Sequence, residues 1–226
     1  MRSVTYAMLL LLLLLFVAAA VVYPRLPAQV ASHWNAAGDV DGTMPRFWGA
    51  FLLPVIAAAA LGLLLLVPRL DPLRENIAKF RPYYDGFLIV FLLFLLYLEG
   101  LILAWNLGIT FSFIVWLVPA FAILFYAVGV LAGHAQRNWT IGIRTPWTIS
   151  DEKVWARTHR LGGKLFKAAA ILTLPGMLLP NYAILFVLVP VVVVALVCVV
   201  YSYVIYRREH PDGAAPRPSR KSGKRV

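Results

Sequence analysis

A chain of 226 residues that is 62% hydrophobic and only 14% charged has more apolar surface than a water-soluble domain can hide, since soluble proteins average about 45–50% and about 25%. The net charge of +11, from 21 Lys and Arg against 10 acids, would suit nucleic acid or anionic lipid. The placement of those charges along the chain favours lipid and no direct nucleic-acid contact.

A bilayer core about 30 Å thick requires roughly 20 apolar residues per helix. Runs of that kind lie at Val4 to Tyr23, Phe47 to Val67, Phe87 to Leu107, Ile109 to Ala132 and Ala183 to Tyr206. A weaker one lies at Leu161 to Leu179, where Lys164 and Lys167 sit near the start and Pro175 interrupts. Arg2, the leucine tract and Ala18 to Ala20 look like a secretory signal peptide, but the run is longer than a signal core and is read as a retained span. The expected fold is therefore an all-α, six-transmembrane helical bundle of the cell (plasma) membrane, multi-pass.

Orientation follows from the connecting loops. With both ends in the cytosol, all but three of the 21 Lys and Arg fall inside; Arg25 and Arg46 lie outside and Lys167 within the fifth span. Removing the weak fifth span would put the basic tail outside, so six spans are favoured, N-in and C-in. The expected organisation is a first helical hairpin over 1–67 with an extracytoplasmic loop at 24–46, spans three and four over 68–133, and a cytosolic loop at 134–163. Spans five and six then occupy 164–206, followed by a disordered basic tail at 207–226.

The outer loop opens with Pro24 and Pro27, which stop the first helix, and continues through His33, Trp34, Asn35, Gly38, Asp41 and Gly42. The glycines permit tight turns, so a compact folded loop is expected. Asn35, Asp39 and Asp41 echo a calcium loop without its spacing. His33, Trp34 and Asn35 form a mixed aromatic and polar cluster, able to anchor at the headgroups or to face an extracellular ligand.

Glu99 lies among leucines toward the outer half of span three. An acid there is costly, so it should face the bundle, protonated or paired, and it is the residue a small transporter or proton-coupled carrier would use.

The inner segment carries Asn138, Trp139, Gly142, Arg144, Thr145, Pro146, Trp147, Trp155, Thr158 and His159. Pro146 makes its first part a loop. From Ser150, as the cap, a short helix is expected to run to Gly162 and Gly163, which end it. Val154, Thr158 and Leu161 share one face and Lys153, Arg157 and Arg160 another, the pattern of an interfacial helix lying on a bilayer with anionic headgroups. Cys198 sits in an apolar run and reads as a small buried hydrophobe. His33, His134, His159 and His210 form no HExxH, CxxC or close pair, so no metal, cofactor or catalytic residue is expected. His159 near Asp151 and Glu152 is better read as surface than as an enzyme's acid and base.

Two stretches resemble the SdpI family of membrane immunity proteins. Tyr23-Pro24, Leu26-Pro27, His33-Trp34-Asn35, Gly38 and Asp41-Gly42 are similar to the extracytoplasmic module that often opens these proteins. Asn138-Trp139, Gly142-Ile143-Arg144-Thr145-Pro146-Trp147-Thr148, Val154-Trp155, Thr158-His159-Arg160 and Gly162-Gly163 resemble the family signature. The resemblance implies immunity to a secreted peptide toxin outside the cell and sequestration of a cytosolic repressor inside it.

Overall fold

The computed structural model describes residues 2–211. Helix α1 (Arg2–Val22) leads through a 3-10 turn (Tyr23–Arg25) into β1 (Gln29–Trp34) and β2 (Val40–Pro45), followed by α2 (Arg46–Leu70), the short α3 (Arg74–Lys79), α4 (Arg81–Asn106) and α5 (Phe113–His134). A short α6 (Pro146–Ser150) precedes α7 (Glu152–Thr173), and two 3-10 turns (Leu174–Met177, Pro180–Tyr182) join α7 to α8 (Ala183–Glu209).

Among the described residues, five helical stretches are long and apolar enough to cross a membrane: Ser3–Arg25, Arg46–Leu70, Arg81–Asn106, Phe113–His134 and Pro180–Glu209. The expected fifth span is not among them, because α7 is polar over its first half. The spanning helices carry Leu9, Leu13, Ile123, Val192 and Leu196 exposed on their outer faces, the surface that lipid rather than water accepts. Pro54, Pro119 and Pro190 lie inside these helices, where neighbouring helices supply the environment that tolerates them.

The all-α expectation requires one correction. The outer loop is an antiparallel β-hairpin that pairs Val30 with Met44 and His33 with Gly42, with register shifts on either side of His33. Asn35 makes the turn: its side chain accepts the Ala37 and Asp39 N–H groups at 2.9 and 3.0 Å, while Gly38 takes φ +89°. The hairpin is docked rather than free. Val30 is buried with Ala19, Leu26, Ala50 and Leu103, and Asn106 at the end of α4 accepts the Ala31 N–H at 2.7 Å and donates to the Ala31 carbonyl at 3.0 Å.

The inner segment departs further from expectation. Thr145, not Ser150, caps the first helical turn, in a reciprocal box with Thr148, so part of the expected loop after Pro146 is helical. Asp151 caps α7, accepting the Lys153 and Val154 N–H groups at 2.7 and 2.9 Å. Gly162 and Gly163 do not end that helix; α7 runs through them to Thr173. Gly163 sits mid-helix because α7 crosses α5 closely: a Cβ on it would stand 2.8 Å from the Gly129 carbonyl, and one on Gly129 would stand 2.8 Å from the Gly163 carbonyl, whereas Gly162 faces the side chains of Ile143 and Cys198. Small residues are what such an approach between backbones requires.

The core continues from the bundle into the signature segment, where Met8, Leu61, Phe80, Tyr84, Leu88, Ile141 and Trp155 form one cluster. Cys198 is buried against Ala169 and Val194, as a small hydrophobe. Arg207 and Arg208, assigned to the tail from sequence, belong to the last turn of α8; residues 212–226 of that tail lie outside the described residues.

Candidate functional site

Because α1, α4 and α5 each traverse the bundle, the hairpin gathers at one end of it and the signature segment at the other. At the hairpin end, the His33 imidazole and the Asp41 carboxylate pair across the two strands. Gly42 lies opposite His33, where a Cβ would approach the His33 Cβ to 2.9 Å. Trp34 turns inward and stacks on Phe113 at 3.8 Å with 5° between the planes, with Trp105 edge-on at 6.0 Å. Its indole Nε1 is buried and has no hydrogen-bond partner among the described residues. Beside it opens an apolar cavity of about 350 Å³ between the hairpin, α2, α4 and α5, lined by His33, Trp34, Trp48, Leu52, Ile102 and Phe113 among others. Asn35, Gly38 and Asp41 shape the hairpin that closes this cavity; no group of His, Cys, Asp or Glu that could hold a metal occurs among the described residues.

Glu99 lies on α4 with 0% of its surface exposed, and neither carboxylate oxygen has a hydrogen-bond partner among the described residues. Glu99 thus faces the protein interior, and of the two states expected from sequence, protonated or paired, no pairing is present among the described residues.

At the opposite end the signature residues fold into a hydrogen-bonded knot. Asn138 is fully buried; its Oδ1 accepts the Thr140 and Ile141 N–H groups at 2.9 and 2.6 Å and its Nδ2 donates to the Gln136 and Ile141 carbonyls at 2.8 and 2.9 Å. Gly142 takes φ +119°, and a Cβ there would run into the His159 ring. His159 Nε2 accepts the Ile143 N–H at 2.9 Å, while Nδ1 donates to the Trp155 carbonyl at 2.9 Å. A backbone amide must donate and a carbonyl must accept, so the imidazole is the neutral Nδ1–H tautomer. Burial pushes its pKa down to about 4, against a smaller upward pull from the Trp155 carbonyl.

Trp155 stacks on His159 at 3.9 Å and donates Nε1–H to the Ala135 carbonyl at 2.8 Å. Thr145 Oγ1 meets Ser202 Oγ of α8 at 3.0 Å. Thr158 is buried with its hydroxyl unpartnered among the described residues. These placements correct the interfacial-helix reading: Val154, Trp155 and Thr158 are buried in protein and do not lie on lipid. His159 is likewise buried, not surface, and both its ring nitrogens are engaged. Trp139 and Arg144 stay on the outside of the knot, with Arg144 donating to the Trp139 carbonyl at 3.0 Å, and Trp147, behind Pro146, packs on Tyr203 at 5.1 Å.

Sequence reasoning missed Asp71. This buried acid accepts the Leu73 and Trp139 N–H groups at 2.7 and 2.9 Å and the Thr140 hydroxyl at 2.7 Å, tying the end of α2 to the knot. The available signal was an acid between Leu70 and Pro72, where a helix must stop and its carboxylate can bind free amides.

The knot, the whole of α7 and all but the last two turns of α8 form one continuous stretch of chain. Residues 134–202 match the SdpI/YfhL protein family. The SdpI/YfhL segment is preceded, at residues 10–58, by a match to a "Domain of unknown function (DUF1648)", which takes in most of α1, the hairpin and the start of α2. One relative, the "Immunity protein SdpI" of Bacillus subtilis (strain 168), is 25% identical over 190 residues, covering 83% of this chain and 88% of that protein. No solved structure matches the chain. The apolar helices and this relationship make the chain a multi-pass plasma membrane protein.

Proposed function

We propose that this chain is a membrane immunity protein that protects its cell against a secreted, membrane-active peptide. The observation that carries the reading is the apolar cavity at the hairpin end, with the unpartnered Trp34 indole N–H at its edge. An apolar side chain of a peptide fits such a space, and a peptide carbonyl supplies the acceptor that the indole lacks. The similarity to an immunity protein over most of both chains supports the same conclusion.

The charge asymmetry of the loops supports a topology with both ends in the cytosol and the hairpin outside, where a secreted peptide arrives. The stretch 161–179 then crosses as the fifth of six spans, packed closely against α5 at Gly129 and Gly163. On the inner side, Trp139 and Arg144 on the knot offer a surface to a cytosolic repressor. Coupling the two ends requires that the peptide bind one of two bundle states more tightly.

The test is survival of cells expressing the chain when challenged with the secreted peptide. Protection that falls at least tenfold in Trp34→Ala, at equal protein in the membrane, supports the reading. Unchanged survival with the parent protein verified in the membrane overturns it. The orphaned Glu99 favours a second reading, a small proton-coupled carrier, which intact activity in Glu99→Gln removes.

A further inference from the structure

The α7–α8 pair holds a second concave feature, far from the hairpin and outside the knot. A cleft of about 450 Å³ runs between the two helices. Arg157, Arg160 and Lys164 on α7 and Arg208 on α8 form its walls, and Leu161, Tyr201 and Ile205 line it between them. Spacings of three and four along each helix put these residues on two facing seams.

The charges are unbalanced. Glu209 is the only carboxylate that pairs with a wall residue among the described residues, and it binds Arg157 at 2.9 Å while also reaching Lys153 at 3.6 Å on the rim. Arg160, Lys164 and Arg208 have no ion-pair or hydrogen-bond partner among the described residues, so three cations converge on a groove with an apolar lining. An anion would relieve that repulsion, and guanidinium groups suit the geometry of phosphate oxygens.

The seams do not stop at the cleft. One to two turns further into the bundle they continue as Ile171 on α7 and Val197 on α8, both exposed. A basic pocket that opens onto an apolar track is complementary to a headgroup followed by acyl chains, whereas an acidic protein segment has no use for the track. The geometry points to a site for one anionic phospholipid in the α7–α8 cleft, its phosphate held by Arg160, Lys164 and Arg208 and its chains lying along Ile171 and Val197. This site does not depend on the immunity reading.

The test uses the full chain in nanodiscs holding equal amounts of phosphatidylglycerol and phosphatidylcholine, with retained lipid counted by native mass spectrometry after extraction. One phosphatidylglycerol is retained in preference to phosphatidylcholine. At roughly fivefold per cation, R160Q/K164Q/R208Q weakens its retention on the order of a hundredfold. The equally charged control R69Q/R74Q/K79Q, on exposed residues of α2 and α3, changes it less than twofold, and R160K/R208K retains it. Equal retention of the two lipids by the parent protein, a measurement that needs no variant, overturns the proposal. Equal losses in both triple variants, or tighter binding of a poly-glutamate peptide than of phosphatidylglycerol, overturn it as well.

Discussion

The ring of His159 holds the backbone of Ile143: Nε2 accepts that N–H at 2.9 Å, sixteen residues away along the chain. With its other nitrogen donating to the Trp155 carbonyl, the imidazole works as a fixed clamp between the signature loop and α7. A proton on Nε2 would turn the acceptor into a donor facing a donor.

Acid should therefore loosen this clamp. The unfolded imidazole titrates near 6.5, the folded one at about 4, so between those values the unfolded chain binds more protons. Stability from this group is complete above about pH 7 and is lost as pH falls from about 6.5 toward about 4, on the order of 3 kcal/mol over the whole window. Scanning fluorimetry of the detergent-solubilised protein should show its unfolding midpoint dropping from pH 7 to pH 5. His159→Gln should have a lower midpoint at pH 7 and a flatter slope across the same range.

The crossing of α5 and α7 leaves no room for side chains at Gly129 or Gly163. Gly163→Val should cost about 1–3 kcal/mol by overpacking and lower the unfolding midpoint by several degrees. Gly62, on α2, has open space around its missing Cβ, so Gly62→Ala should be neutral or stabilising by up to about 1 kcal/mol. Equal midpoints in the two variants would contradict the close crossing.

Glu99 carries a desolvation cost with no compensating bond in view. Replacing it with Leu, of similar bulk, should raise the unfolding midpoint by an amount corresponding to about 1–3 kcal/mol. Glu99→Gln should keep protection against the peptide if immunity is the activity, and abolish transport if the chain is a carrier. Survival assays beside proton-flux measurements in proteoliposomes separate the two.

Sidedness can be read with membrane-impermeant thiol reagents, since Cys198 is buried and gives little background. Asp39→Cys in the hairpin turn should label in intact cells. Arg144→Cys on the knot should label only after permeabilisation. Labelling of both in intact cells would refute the six-span topology.

Hydropathy made α1, α2, α4, α5 and α8 legible, because lipid demands long apolar runs whatever their neighbours are. The hairpin was legible only as a compact loop: two strands of six residues without a clean apolar–polar alternation leave a weak pattern, and Asn106, which completes the hydrogen bonding at Ala31, lies 75 residues away. Glycine was misread at 162 and 163, where a helix stop and the close approach of a neighbouring segment predict the same residue. Asp71 escaped notice because its partners, Trp139 and Thr140, come from a distant loop.

By itself, then, the sequence determined that this chain lives in a bilayer, which helices are greasy enough to cross it, and where its two polar modules interrupt them. Only the tertiary structure decided what those modules do with their side chains. Trp155, Thr158 and His159 turn from surface to protein interior, and Trp34, expected as a headgroup anchor or a face for an extracellular ligand, lines a cavity. Burial in lipid is a property of one segment's composition, but a hydrogen bond or a stacked ring needs a partner that only folding brings near.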